Sequence, residues 1–348
     1  MESLSILILS TSPNSKATQL FVNSAKKRGH KPIVKNPQDL YLFISESERG
    51  YDRIYDGSGD EVERIHANSI HAILPRIHSG VNYGIKIVRH FNHNLGIYSI
   101  QTASGIRAAS DKMETSQKIS YAGVKTPKTI FAANPKHIKF LLEKIDNLPA
   151  ICKTVKGSLG VGVMIFESPL QSNTTLEALY KSNVEVLLQR YVDGNFSDIR
   201  AIVTGNEVIA AMKRTGKKDD FRANISQGGS GIKIDLTEEQ KTLCVNAAKA
   251  VNLEVCGVDM IVDKLGYSFV IEVNSAFGMK IQEITGIDIS GKIIEYIEKN
   301  YKRGKTDSNN STVNNAIYKE YEGDIDPDVE FCKTHTIAEN VYYLKSKK

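Results

Sequence analysis

The stretch from Val255 to Gly278, VCGVDMIVDKLGYSFVIEVNSAFG, constrains this chain more than any other, because it sets three oxygen-bearing side chains on two short apolar runs. Val258 to Val262 and Ser268 to Val273 are rich in β-branched and aromatic residues, and Lys264-Leu265-Gly266 supplies a turn, so the pattern predicts a β hairpin. Asp259 lies in the first run. Glu272 and Asn274 stand two apart at the end of the second, and alternation along a strand puts them on one sheet face. Hard oxygen donors converging from neighbouring strands suit a Mg²⁺ shared with substrate phosphates, an ion that keeps several waters and takes few protein carboxylates. A surface hairpin with solvated acids would carry the same letters.

The rest of the chain narrows the choice. With 348 residues, 41% of them hydrophobic, it is long enough for two or three packed units. A net charge of +5 argues for a locally basic pocket rather than a surface that coats nucleic acid, and no base-reading or base-stacking motif points to DNA or RNA. Cys152, Cys244, Cys256 and Cys332 lack metal-ligand spacing and read as reduced thiols of a cytoplasmic protein. No apolar run approaches the ~18 residues of a membrane span, and Ile6 to Leu9 is too short for a signal peptide.

The first hundred residues alternate strand-like and helix-like patterns. Leu4 to Leu9, Ala72 to Ile77 and Gly96 to Ile100 read as strands, and Lys16 to Arg28 and Tyr83 to Asn94 as helices, which predicts an α/β unit with a parallel sheet. His66, His71, His78, His90 and His93 scatter over loop, strand and helix and fit no ligand pattern. A helix is expected from Ser110 to Tyr121 with Asp111-Lys112 in its first turn, where free N–H groups already favour phosphate and a lysine adds a full charge.

Lys153 interrupts the otherwise apolar strand Ala150 to Val155, and a lysine there is costly unless its ammonium reaches an anion or snorkels to water. Lys156-Gly157-Ser158-Leu159-Gly160-Val161-Gly162 follows at once. Its backbone N–H groups could fold over a triphosphate, yet the loop opens into a strand, unlike a Walker loop or a dinucleotide fingerprint. A plain hairpin turn would also use glycines. Val186 to Val192 is an apolar strand whose end, from Gln189 through Arg190 to Val192, offers a hinge for an adenine edge; a core strand ending in a turn would look the same. Ser197 to Val203 and Val208 to Met212 form a second hairpin that carries Asp198, Arg200 and Arg214, with Arg222 and Asn224 beyond, and forked guanidiniums suit phosphate, acyl phosphate and carboxylate.

The ordered motifs DK, GSLGVGV, LLQRYV, SDIR, AAMKR, FRAN, GVD and EVN resemble an ATP-grasp ligase, most closely the RimK-type branch, which joins amino acids to peptide or protein carboxyl ends. DLYLFIS and ILPRI stand where that branch has its preATP-grasp domain. The resemblance covers about residues 1 to 300. It implies a preATP-grasp α/β domain over 1–100, an ATP-grasp small lobe with the glycine-rich loop over 101–185, and a carboxy-terminal lobe with the metal site over 186–302. Beyond these stand a polar linker, 303–316, and an acidic tail, 317–348, where Glu320, Glu322, Asp324, Asp326, Asp328 and Glu330 alternate with other residues.

It also implies roles. Lys112 and Lys153 would hold ATP phosphates under a loop made by Gly157, Ser158, Gly160 and Gly162. Gln189, Arg190 and Val192 would border adenine, with Asp198 in the same nucleotide site. Asp259, Glu272 and Asn274 would hold two Mg²⁺ ions, with Mn²⁺ as a substitute, while Arg200, Arg214 and Asn224 would face the transferred phosphoryl group. The implied partners are an amino acid donor and a peptide or protein acceptor with a free carboxylate, in a homo-oligomer such as the branch often forms.

Two departures fall on the substrate pocket. Ser226-Gln227 replace the branch's histidine and arginine, and Ser275-Ala276-Phe277-Gly278-Met279-Lys280 replace its small-Ser-Pro-Gly-Leu-Glu-Gly run. With Arg222, Ser275 and Lys280 at the substrate, the preferred charge could be inverted. An ATP-binding regulatory module with a diverged acceptor pocket, or a peptide ligase of secondary metabolism, are the alternatives.

Overall fold

The computed structural model describes residues 2–44, 53–133, 137–155, 162–216 and 229–303, and the backbone of two later strands. Met1–Lys302 forms one compact unit and Arg303–Lys348 a second.

The chain opens with β1 (Ser5–Ser10), α1 (Lys16–Lys27) and β2 (Lys31–Lys35). A small antiparallel sheet follows, made of β3 (Leu40–Leu42), β4 (Ile54–Asp56) and β5 (Glu63–Ile65), and then β6 (Ala72–Arg76), α2 (Val81–Arg89) and β7 (Tyr98–Ser99). β1, β2, β6 and β7 make the expected parallel sheet, in the order β2-β1-β6-β7. β1 and β6 are buried along nearly their whole length, which is why their sequences are continuous apolar runs rather than alternating ones.

α3 (Ala103–Ser110) and α4 (Lys112–Tyr121) are separated at Asp111, so the helix expected from Ser110 starts two residues later. Asp111 is the reason: its Oδ1 accepts from the Met113 and Glu114 N–H groups, and its extended backbone breaks the run. β8 (Thr129–Phe131), α5 (Ile138–Lys144), β9 (Ala150–Thr154), β10 (Val163–Phe166), α6 (Pro169–Lys181) and β11 (Val186–Arg190) build an antiparallel sheet in the order β10-β9-β11-β8. Because β11 pairs with both β8 and β9, this sheet extends to Arg190, past the lobe boundary expected at residue 185. Leu141, Cys152, Phe166, Leu176 and Leu188 belong to the separate core beneath it.

The third part holds β12 (Ser197–Thr204), β13 (Glu207–Thr215), β14 (Ser230–Lys233), α7 (Glu238–Ala250), β15 (Val255–Val262), β16 (Ser268–Asn274), α8 (Lys280–Thr285) and α9 (Ile289–Asn300). Its sheet runs β14-β13-β12-β15-β16. One face, including Ala201, Val203, Val258 and Met260, packs on α7, whose capping box is formed by Thr237 and Gln240. The other face shares a core with the amino-terminal sheet: Ile6, Ile8 and Phe21 pack in one cluster with Ile202, Met212, Phe277 and Ile293.

In the second unit β17 (Val329–Thr334) pairs antiparallel with β18 (Val341–Ser346), so the end of the stretch expected to be an acidic tail is a hairpin, with Glu330 in β17. The other five acids lie outside the described residues.

Candidate active site

Where the inner face of the five-stranded sheet leaves the shared core, it turns from apolar to charged. Asp259 stands directly opposite Glu272 across β15 and β16, and Gly257 opposite Asn274. Between Asp259 and Met260 the register slips, leaving Ile271 as an extra residue on β16. Such a bulge bends and twists a strand locally, and here it sits beside the two acids.

β12 lies on the other side of β15 with Arg200 opposite Asp259, while Asp198 faces Arg214 on β13. Arg200 Nε and Nη2 donate to Asp259 Oδ1 and Oδ2 at 2.6 and 2.5 Å, and Arg214 closes the same fork on Asp198 at 2.6 Å through both nitrogens. Arg214 Nη2 also lies 3.0 Å from Asp259 Oδ2. Burial would raise the Asp259 carboxyl, but the two guanidiniums outweigh it and hold it down at about 2. Burial lowers Arg214, and Asp259 and Asp198 more than reverse this, so it is raised. Arg200 and Arg214, two of the three residues expected to face a phosphoryl group, are therefore cross-paired with Asp259 and Asp198 in one Arg–Asp lattice.

Glu272 and Asn274 are placed differently. Among the described residues Glu272 makes no side-chain hydrogen bond or salt bridge, and Asn274 Nδ2 is buried without a partner. No group of three His, Cys, Asp or Glu side chains gathers among the described residues. The donor set is two carboxylates and an amide, hard groups with lone pairs to spare, and it fits a cation that draws its other oxygens from a ligand.

Lys153 projects from β9 into this space. Burial lowers its ammonium to about 8, against the pull of Glu272 and with the push of Lys112, while Asp259 pulls it upward. Lys153 thus feels a second lysine and two acids from other parts of the chain. Lys153 Nζ donates to Gln189 Oε1 at 2.8 Å, and Gln189 Nε2 donates to Thr129 Oγ1 at 2.9 Å. Gln189 is buried between two paired strands, so its visible contribution is this side-chain buttress, which its position in the apolar VLLQRYV run did not reveal. Arg190 N–H donates to the Lys128 carbonyl at 2.8 Å, and its guanidinium lies 5.7 Å from the Phe269 ring centre on β16. Val192 is buried, and its carbonyl accepts from the Gly194 N–H at 3.0 Å.

Gly162 has φ +78°, a conformation suited to glycine, and its carbonyl accepts from Thr154 N–H at 3.0 Å, closing β9 and β10 where the glycine loop ends. Gly157, Ser158, Gly160, Arg222 and Asn224 lie outside the described residues. Lys280 is exposed at the start of α8, and its charge helps lower the Glu283 carboxyl, after the larger effect of Lys16. The Ser275 carbonyl accepts from Gln101 Nε2 at 2.5 Å, and the same nitrogen donates to the Val255 carbonyl at 2.7 Å. Gln101 therefore ties the start of β15 to the end of β16, a role that no motif announces.

A strand lysine, a glycine turn and an acid pair on facing sheets define the class of ATP-grasp carboxylate–amine ligases, and comparison with known proteins narrows it. The RimK-like ATP-grasp domain model matches residues 109–297 and the RimK PreATP-grasp domain model matches 4–106, so the chain belongs to the RimK-like ATP-grasp family. It is 35% identical over 306 residues to a probable alpha-L-glutamate ligase 2 of Shewanella baltica, spanning 87% of this chain and 98% of that relative. A probable alpha-L-glutamate ligase of Teredinibacter turnerae is 34% identical over 304 residues, or 86% and 97% of the two chains. Among solved structures, the ATP-grasp ligase PsnB complexed with minimal precursor matches with a TM-score of 0.66 at 18% identity, covering 86% of this chain and 98% of that one. D-alanine–D-alanine ligase from Bacillus anthracis complexed with ATP matches at 0.59 and 18%, covering 88% and 100%. The chain is an enzyme of the ATP-grasp carboxylate–amine ligase type.

Proposed function

We propose that this enzyme activates a peptide or protein carboxylate with ATP and joins it to the amine of an amino acid. A carboxylate oxygen attacks the γ-phosphorus and ADP leaves. The amine nitrogen then attacks the acyl carbon, phosphate departs and an amide remains. The convergence of Lys153, Lys112, Asp259 and Glu272 on one space supports this reading, because it gathers the charges that a transferred phosphoryl group needs.

In this reading Lys112 and Lys153 hold phosphates, and Asp259, Glu272 and Asn274 hold two Mg²⁺ ions, with Mn²⁺ a workable substitute. Bound metal would supply charge neutralisation at the β- and γ-phosphates. Arg200 and Arg214, steadied by Asp259 and Asp198, keep positive charge beside the reacting group. Gln189 holds the Lys153 ammonium in place and, with Arg190 and Val192, borders the adenine. Gly157, Ser158, Gly160 and Gly162 form the cover, and Asn224 and Arg222 complete the substrate side with Ser275 and Lys280.

The amino acid to try first is L-glutamate, since the relatives are named for it, with basic and neutral amino acids beside it because Lys280 lies in the segment that departs from the family pattern. We place the enzyme in the cytoplasm, in keeping with the free, buried Cys152, Cys244 and Cys256, as a homo-oligomer that does not act on DNA. The test is incubation with Mg-ATP, pooled amino acids and peptides with free carboxyl ends. Substrate-dependent ADP release with a mass-shifted peptide is expected; tight ATP binding without turnover would favour a regulatory module.

A further inference from the structure

Arg76 ends β6, and no role above uses it. In the parallel sheet β2-β1-β6-β7 the direction of winding reverses between β1 and β6. Ligands of open α/β sheets bind in the crevice outside the carboxyl ends of the strands at such a reversal. Here those ends are Ser10 and Arg76, which are register partners. The chain continues as Thr11 on one side and His78 on the other, and His78 N–H donates to Thr11 Oγ1 at 3.2 Å. The facing wall is the 275–280 segment, the one that departs from the family pattern.

Arg76 is 3% exposed, yet its guanidinium is poorly satisfied. A guanidinium carries five N–H donors. Among the described residues its hydrogen bonding consists of one long contact, from Nη2 to the Phe277 carbonyl at 3.3 Å, and Nε is buried with no partner. The group lies 4.9 Å from the Phe21 ring centre. Burial pulls Arg76 down to about 10, and among the described residues no acid opposes it. Arg200 and Arg214, by contrast, each close a fork on an aspartate. A buried cation without a counter-ion is costly, and the fork of a guanidinium matches a carboxylate bidentately.

We propose that Arg76 is a specificity-determining residue that binds a substrate carboxylate in the crevice between the β1–β6 edge and the Phe277 segment. This rests on the ligase reading above. The carboxylate is that of the incoming amino acid, whose amine must reach the acyl phosphate, or a second carboxylate of the acceptor. Either displaces the long Phe277 contact and supplies the counter-ion that the described residues do not.

The experiment measures ADP release by the full chain with Mg-ATP, single amino acids chosen from an active pool, and a peptide ending in L-glutamate. It compares wild type, Arg76→Gln and Arg76→Lys. In Arg76→Gln the KM for the amino acid should rise about tenfold or more while the KM for ATP stays put. Arg76→Lys, which keeps the charge and loses the fork, should recover part of it. The same rise in the peptide's KM instead assigns the carboxylate to the acceptor. If Arg76→Gln does not fold, Arg76→Lys carries the comparison. Unmoved KM values for both substrates in a folded variant overturn the assignment of Arg76 alone. A wild-type chain without substrate-dependent ADP release overturns the ligase reading and this inference with it.

Discussion

Arg200 grips both carboxylate oxygens of Asp259, at 2.6 and 2.5 Å, across neighbouring strands, and Arg214 reaches the same carboxylate at 3.0 Å. Removing one partner of a buried pair leaves an uncompensated charge, which costs about 3–5 kcal/mol. Asp259→Asn should therefore lose stability of that order in urea unfolding, with part regained when Arg200→Met is added. Because the folded carboxyl is held down at about 2, its stabilising contribution is present above the unfolded value of ~3.9 and is lost as pH falls through about 2. The gap between wild type and Asp259→Asn should close over that window, and a gap constant with pH would contradict the assignment.

Lys153 is shifted downward as well, so its linkage has the same sign in a higher pH window, although here the shift marks a cost to the folded state. Its ammonium is lowered to about 8, so between there and the unfolded value of ~10.4 the unfolded chain binds more protons and the stability of the ligand-free protein rises with pH. Nucleotide phosphate beside Lys153 pulls that value back up. ADP binding near pH ~8.5 should thus take up protons and weaken as pH rises. Calorimetry in two buffers of different ionisation enthalpy measures the uptake; identical heats would place the phosphates elsewhere.

Glu272 makes no ion pair among the described residues, so Glu272→Gln should leave the melting temperature within a few degrees of wild type. Mg²⁺-dependent turnover should fall about 100-fold or more. A variant that turns over normally would remove Glu272 from the metal set.

Gly162→Ala tests the glycine turn. A methyl group there would press on the Thr154 hydroxyl, at a backbone angle that side chains rarely adopt. The cost should be about 1–3 kcal/mol, with weakened ATP binding. Equal stability and ATP affinity would show that the turn tolerates a side chain.

Much of this was legible in the sequence where the signal is local. The two strands carrying Asp259, Glu272 and Asn274 announce themselves by period and composition, and α7 by its capping box. What escapes depends on register. The Arg200–Asp259 fork joins residues 59 apart, and the Ile271 bulge shifts one strand by a residue without any change in composition. β14 carries no local signal, because Ser230–Lys233 has little strand propensity of its own and is ordered as an edge on β13. Arg76 in ILPRI looks like the charged end of a strand, and only the packed structure shows that its end is buried.

The shared apolar core has a consequence for motion. It welds the amino-terminal sheet to the five-stranded sheet, whereas the β10-β9-β11-β8 sheet keeps a core of its own. Any opening and closing would therefore fall on the seam between these two blocks, like a jaw against a fixed skull. Lys153 and Gly162 would travel with the jaw; Asp259, Glu272 and Arg76 would stay behind. A nucleotide bridging Lys153 and Glu272 would act as the clasp, and the crevice at Arg76 would keep its shape through the whole stroke.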